Sequence, residues 1–226
     1  MFKIIIGALA VLLFTGCSHK LEVLNINDYK NWQHNALDTK TKIGIVSSTQ
    51  NKYGQQIIRG ISSGLNNASA VVFYPYSENQ IEDIAVDFIA NIDVEQQYDG
   101  SGWNFLINFP GFLVWAPAWN GYEYKAKFTI DVALTDANNS AVDTFQTPVD
   151  LDIRHAEMDR TWTEVGWFEV GIIPLIGGIA FINYDDDVTP ILIDEIETPI
   201  GDYIAQEIVS RINVFLQNPM TPADTQ

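Results

Sequence analysis

The sequence predicts an α+β fold. Its mixed sheet comes from a strand-helix-strand-helix start and an antiparallel meander, with a long C-terminal helix packed on the sheet. Three patterns carry this expectation. Apolar residues alternate between period two and helical spacing over the first hundred residues. A long stretch, Tyr122 to Leu134, keeps strict period two. A stripe of isoleucines then recurs every four residues near the end of the chain. Helices and strands differ in just this period, so the pattern separates them.

Each element follows in order. Lys42 to Ser47 reads as a short buried strand. Tyr53 to Leu65 places Ile57, Ile58, Ile61 and Leu65 on one helical face, and Gly64 with Asn66 and Asn67 ends it. Ala70 to Tyr74 is a second apolar run, stopped by Pro75. Ser77 with Gln80 makes a capping-box pattern before Ile81, Ile84, Ala85, Phe88 and Ile89, which predicts a second helix. Two strands joined by a helix are most simply parallel neighbours. Ser47 to Gly54 lacks the spaced glycines and the Gly-Lys-Ser/Thr ending of a phosphate loop, so nucleotide binding has no support there.

From Ile92 the period is two. Val94 to Tyr98 suits a strand, and Trp103 to Phe109 another, with Trp103, Phe105, Ile107 and Phe109 on one side and Asn104 and Asn108 on the other. In Tyr122 to Leu134, even-numbered apolar residues alternate with Glu123, Lys125, Lys127, Thr129 and Asp131, as in a sheet with one wet face. Asn138 and Asn139 mark a turn into a return strand through Phe145, Thr147, Val149, Leu151 and Ile153, a hairpin. Pro148 implies a free side or a break in that strand. Asn183 to Asp187 is an acidic turn. Thr198-Pro199 reads as a helix start, with Ile200, Ile204, Ile208, Ile212 and Phe215 as its apolar stripe. Asn218-Pro219 stops it.

The chain has 226 residues and is 47% hydrophobic, enough for a good core. Lys+Arg number 12 against 29 Asp+Glu, a formal charge of −17. Such a surface repels nucleic acid, which needs a basic face, and it repels anionic lipid headgroups too. Any membrane contact is therefore expected to be apolar.

Met1 to Ser18 opens with Lys3, continues as an apolar run from Ile4 to Phe14, and closes on Thr15-Gly16-Cys17. This is the layout of a secretory signal. Cys17 is the only cysteine. Phe14-Thr15-Gly16-Cys17 resembles the lipobox of bacterial lipoproteins, with Phe14 where that family usually has Leu. The resemblance implies a thioether lipid on Cys17 and cleavage before it, leaving Cys17 as the first mature residue. It also removes the one thiol, which excludes a cysteine nucleophile or metal ligand. Ser18, where the class uses Asp for inner-membrane retention, implies sorting to the outer membrane. The expected organisation is a signal at 1–16, a lipidated N-terminus and polar tether at 17–40, one α+β domain at 41–218 and a flexible tail at 219–226.

Two segments are unusually apolar and rich in Gly, Pro and Trp: Phe109 to Trp119, and Val165 to Ile182. Five of the six tryptophans lie in or beside them. Tryptophan flanking apolar runs suits a membrane interface, because its ring is apolar and its N–H seeks a polar partner. Trp103, Phe112, Trp115, Trp119, Trp162, Trp167, Ile173 and Leu175 are therefore candidate membrane or partner contacts. The same residues also fit a buried core or a protein interface. Pro174 and Gly177-Gly178 interrupt the second segment, which disfavours a full helical span.

Asp185-Asp186-Asp187 could offer oxygen ligands to Ca²⁺, but the spacing is not that of an EF-hand, and a solvated turn fits better. His155 among Arg154, Glu157, Asp159 and Arg160 could serve acid–base chemistry. No nucleophile elbow accompanies it, and a charged connector is the simpler reading. His19, His34 and His155 are too scattered for zinc. No catalytic residue, metal or cofactor is expected.

The element order resembles periplasmic α/β domains of lipoproteins that assist curli or exopolysaccharide export and peptidoglycan-synthase activation. Asp99 to Phe105 and Arg154 to Trp162 look like stretches of uncharacterised proteobacterial lipoproteins. These resemblances imply a non-catalytic, lipid-anchored accessory or assembly factor on the periplasmic face of the outer membrane. Its expected partners are the membrane, through the lipid, and an envelope protein. One alternative is a subunit of an oligomeric export channel, a homo-oligomer using segments 109–119 and 165–182. The other is an envelope hydrolase using His155.

Overall fold

A computed structural model describes residues 20–31, 35–37, 41–77, 85–104, 121–156 and 183–217. Its elements are β1 (Lys20–Val23), β2 (Lys42–Val46), α1 (Lys52–Asn67), β3 (Val71–Phe73), β4 (Phe88–Gly100), β5 (Tyr122–Asp136), β6 (Ala141–Ala156) and α2 (Val188–Gln217). The six strands form one mixed sheet in the order β1-β6-β5-β4-β2-β3, and the long α2 packs on it. The α+β expectation holds. By contacts the chain gathers into two compact units. One comprises the described residues of Met1–Leu24, Gln97–Ala126 and Asp150–Thr189; the other those of Asn25–Gln96, Lys127–Val149 and Pro190–Gln226.

In the second unit, β2 runs parallel to both β3 and β4, with Ile43 opposite Val72 on one side and Phe88 on the other. The link from β2 to β3 is α1. The Asn51 side chain accepts from the Tyr53 N–H at its start, a cap worth roughly 0.5–2 kcal/mol. Ile57, Ile58, Ile61 and Leu65 are fully buried, as their spacing predicts. The helix ends at Ala68, and Ser69 turns the chain with a φ of 73°.

The second helix expected over Ile81 to Ile89 is corrected. Residues 78–84 lie outside the described residues, Ala85 to Asp87 are not helical, and Phe88 and Ile89 open β4. Phe88, Ala90, Ile92 and Val94 also alternate, and all four are buried. Pairing with β2 from Phe88 to Asn91 settles the ambiguity in favour of the strand. Asp87 fixes the entry: its N–H donates to the Lys42 carbonyl at 2.8 Å and its carboxylate accepts from the Lys42 N–H at 2.7 Å.

The start of the terminal helix is corrected too. The helix begins at Val188, and Pro199 lies inside it. The Thr-Pro pair occurs twice within the helix, and the helix uses the earlier one, Thr189-Pro190, in its first turn, where proline is tolerated. Val188, Leu192, Ile193 and Ile196 extend the fully buried stripe of Ile200, Ile204, Ile208 and Ile212. Each such side chain contributes about 1.5–3 kcal/mol of burial.

The hairpin from β5 to β6 follows its pattern. Every even residue from Tyr122 to Leu134 is buried, as are Thr147, Val149, Leu151 and Ile153. At the turn, the Asp136 carboxylate accepts from the N–H groups of Asn138 and Ser140, both at 2.8 Å, and Asn139 takes a φ of 60°. In the first unit, β1 pairs antiparallel with the end of β6, Lys20 opposite Ala156 and Val23 opposite Ile153. Leu24 N–H reaches the Asp152 carbonyl. Pro148 lies beyond these pairs, so its missing N–H costs no bond to β1.

β1 also changes the picture of the polar tether expected at 17–40. Lys20–Val23 is a sheet strand, and Ile26–Tyr29 forms a 3-10 turn. Tyr29 meets the Tyr203 ring edge-on at 5.4 Å, and Leu37 is buried. Asn35 N–H donates to the Gln206 side chain at 2.6 Å. The spacing of apolar residues gave no sign of this, because a four-residue edge strand is too short to show a period.

Candidate functional site

Four strand ends meet at one end of the sheet in the first unit. β1 starts there at Lys20, opposite Ala156, where β6 stops. β4 stops there at Gly100, and the next residue, Ser101, donates its N–H to the Glu123 carbonyl near the start of β5, at 3.1 Å. The end of β4 thus lies beside the start of β5, an antiparallel arrangement. Gly121 leads into β5 with a φ of 74°, and a Cβ there would crowd Arg154 and the His155 backbone. Glycine suits both demands.

The inner side of this end is tyrosine-rich. Tyr98 stacks on Tyr184 at 4.6 Å, Tyr184 meets Tyr124 edge-on at 5.2 Å, and Tyr122 lies 6.4 Å from Tyr124. Tyr122 and Tyr124 are fully buried; Tyr98 and Tyr184 are half-buried. The Tyr184 hydroxyl lies 3.2 Å from Thr189 Oγ1. The outer side carries cross-strand ion pairs, Arg154 with Glu123 at 3.5 Å and Lys125 with Asp152 at 3.8 Å. Both are solvated, so each contributes at most about 1 kcal/mol.

The strand expected to open at Trp103 is corrected: Trp103 and Asn104 are helical, and Phe105 to Phe109 lie outside the described residues. Trp103 is 53% exposed and Asn104 is fully buried. The Asn104 side chain takes both backbone groups of Glu123. Its Nδ2 donates to the Glu123 carbonyl at 2.9 Å, and its Oδ1 accepts from the Glu123 N–H at 2.8 Å. An amide matches a peptide's donor and acceptor, so it acts as one more strand residue. The buried amide is satisfied in this way, while the neighbouring Trp103 ring stays at the surface.

Among the other candidates, Cys17, Phe112, Trp115, Trp119, Trp162, Trp167, Ile173 and Leu175 lie outside the described residues. The described residues flanking the two apolar segments, Asn104 and Gly121 for one, Ala156 and Asn183 for the other, all belong to the first unit. His155 stands in β6 on its buried face, 2% exposed, opposite Leu21 of β1. Of the charges expected around it, Glu157, Asp159 and Arg160 lie outside the described residues, and Arg154 points to the other face, toward Glu123. Asp185 to Asp187 form the turn into α2. The Asp185 carbonyl accepts from Val188 N–H at 3.0 Å, the Asp186 carbonyl from Thr189 N–H at 3.1 Å, and the Asp185 carboxylate from Asp187 N–H at 3.1 Å. Negative charge at a helix start is favourable without any metal. Among the described residues no cluster of His, Cys, Asp or Glu is arranged to hold a metal ion.

Sequence reasoning missed one polar cluster in the second unit. Where β2 ends, the Asp93 carboxylate of β4 accepts from Ser48 N–H at 2.9 Å and Ser48 Oγ at 2.7 Å. Ser47 and Thr49 hydroxyls lie at 3.5 and 3.4 Å. Thr49 Oγ1 in turn accepts from Val94 N–H at 3.0 Å. Partial burial opposes ionisation of Asp93, yet the hydroxyl and N–H donors outweigh it and hold the carboxyl below its usual range. The carboxylate fills the place after a parallel strand where α/β proteins often bind anions, and its charge disfavours an anionic ligand there.

No known family model matches the chain, and no characterised protein matches its sequence. Solved structures similar to it include rare lipoprotein B from Shewanella oneidensis, at 13% identity and a TM-score of 0.41, covering 78% of this chain and 99% of that one. A minor lipoprotein from Acinetobacter baumannii is similar at 7% identity and a TM-score of 0.37, covering 77% and 93%. A PelC dodecamer from Paraburkholderia phytofirmans follows at 11% identity and a TM-score of 0.27, covering 82% and 99%.

Proposed function

We propose that the chain is a lipid-anchored envelope protein that acts, without catalysis, as an accessory or assembly factor on the periplasmic face of the outer membrane. One observation carries this reading: the single cysteine of the chain stands at the end of an export signal, in a lipobox-like setting, followed by Ser18. A protein built this way exerts its effect by being held at a membrane and binding a neighbour there. His155 lies on the buried face of β6, which favours a structural role for it over acid–base chemistry.

Separation of inner and outer membranes tests the placement. The native chain is expected in the outer-membrane fraction and Ser18→Asp in the inner. Equal distribution of the two chains contradicts outer-membrane sorting. Crosslinking from intact envelopes then tests the accessory role. A reproducible protein neighbour supports it, and turnover of an envelope polymer by the purified chain, lost in His155→Ala, contradicts it.

A further inference from the structure

Where a lipid is attached fixes which face of a protein can meet the membrane only if the link is short. Here it is short. Two residues, Ser18 and His19, separate Cys17 from Lys20, so the Cα atom of Cys17 can lie no more than about 11 Å from that of Lys20, the first residue of β1. Lys20 is itself pinned to Ala156 in the sheet. A lipid on Cys17 would therefore be tethered within reach of the end of β6.

The same end carries every described junction to the two apolar segments. Residues after Asn104 and before Gly121 connect β4 to β5 there, and residues after Ala156 and before Asn183 leave from the partner of Lys20. The described surface agrees with this. Trp103 is the most exposed aromatic side chain among the described residues, and half-buried Tyr98 and Tyr184 stack beneath the end of the sheet. Aromatic rings with one polar atom favour the headgroup level of a bilayer. The charges nearby are of both signs, with Glu123 and Asp152 each met by a cation, so a zwitterionic surface suits this end better than an anionic one.

We propose that the end of the sheet formed by Lys20, Gly100 to Asn104, Tyr122 and Ala156 lies against a zwitterionic lipid surface, with Trp103 at headgroup depth. Leu24, just past the far end of β1 and in the same unit, then lies away from the bilayer. This orientation rests on acylation of Cys17 as its anchor, and the test separates the two.

The full chain, purified with its lipid, is reconstituted into phosphatidylcholine vesicles. An environment-sensitive fluorophore is placed by Gly102→Cys or, as a control in the same unit, by Leu24→Cys. A Cβ at Gly102 meets nothing within 4 Å, and Leu24 is exposed, so both variants should fold. Brominated phosphatidylcholine is the quencher, and the mass of the reconstituted chain reports acylation separately. The expected result is a several-fold loss of emission at position 102 and little at 24. An acylated chain whose position 102 stays solvent-like, or is quenched no more than 24, overturns the orientation and leaves the anchor standing. An unacylated chain still quenched at 102 overturns the anchor and supports the surface.

Discussion

Gly60 of α1 and Gly201 of α2 meet backbone to backbone. A Cβ on Gly201 would overlap the Gly60 main chain, and one on Gly60 would overlap the Glu197 carbonyl oxygen. One turn on, Gly64 fits against Ala205 and Asp202 in the same way. Two glycines one turn apart in α1 thus set how closely the helices cross, since the spacing of packed helices depends on the side chains at the contact.

Gly60→Ala and Gly201→Ala are each expected to destabilise the fold by about 1–3 kcal/mol, the usual cost of overpacking. Gly102→Ala, with open space around it, should change stability by no more than about 0.5 kcal/mol. Urea unfolding midpoints measure all three. Equal midpoints for Gly60→Ala and Gly102→Ala would show that the helices can part at no cost.

Asn104 makes a sharper local prediction. Removing its amide in Asn104→Ala leaves the N–H and carbonyl of Glu123 without that partner, a loss of about 1–3 kcal/mol. Hydrogen exchange should quicken at the Glu123 amide more than at the Phe128 amide, farther along β5. Asn104→Asp keeps the acceptor but sets a carboxylate against the Glu123 carbonyl, so it should be less stable at neutral pH than in mild acid.

Acid should unfold the protein through a small set of aspartates. The Arg211 guanidinium hydrogen-bonds Asp143 and holds its carboxyl below the ordinary 3.8, partial burial opposing and the Thr144 N–H assisting. Arg211 is kept in place by Glu207 and by the Phe145 ring, 3.9 Å from the guanidinium carbon. The Ser140 N–H does the same for Asp136, and the donors around Ser48 for Asp93. A carboxyl whose folded pKa is depressed adds stability in full above its unfolded value, and the gain is lost as pH falls through the folded value. The urea midpoint should therefore be insensitive to these groups from pH 7 to about 5 and fall below about pH 4. The double variant Asp93→Asn, Asp143→Asn should start lower at neutral pH and fall less steeply. An unchanged acid limb would assign the loss to other carboxyls.

How much of this was legible in the sequence depends on element length and on which partner decides the conformation. Tyr122 to Leu134 and Ile57 to Leu65 are legible because each carries its own period over several repeats. Phe88 and Ile89 fit two periods, and only distant Ile43 and Gly44 choose between them. Pro199 imitates a helix start, whereas the buried Val188, Leu192 and Ile196 show the stripe running through it. Asn104 is buried because of a bond to a residue far along the chain, and composition carries no trace of that. At the proposed membrane end, Cys17 and the tryptophans are visible as residue types, but the meeting of Lys20 with Ala156 appears only once strands are paired.

Anchoring at the membrane depends on the state of one sulfur atom. The mature chain, isolated from its native envelope and digested, should yield an N-terminal peptide beginning at Cys17 with a mass increased by a diacylglyceryl group and an amide-linked acyl chain. A mature N-terminus at any other residue, or Cys17 recovered with a free thiol, would contradict the anchored reading.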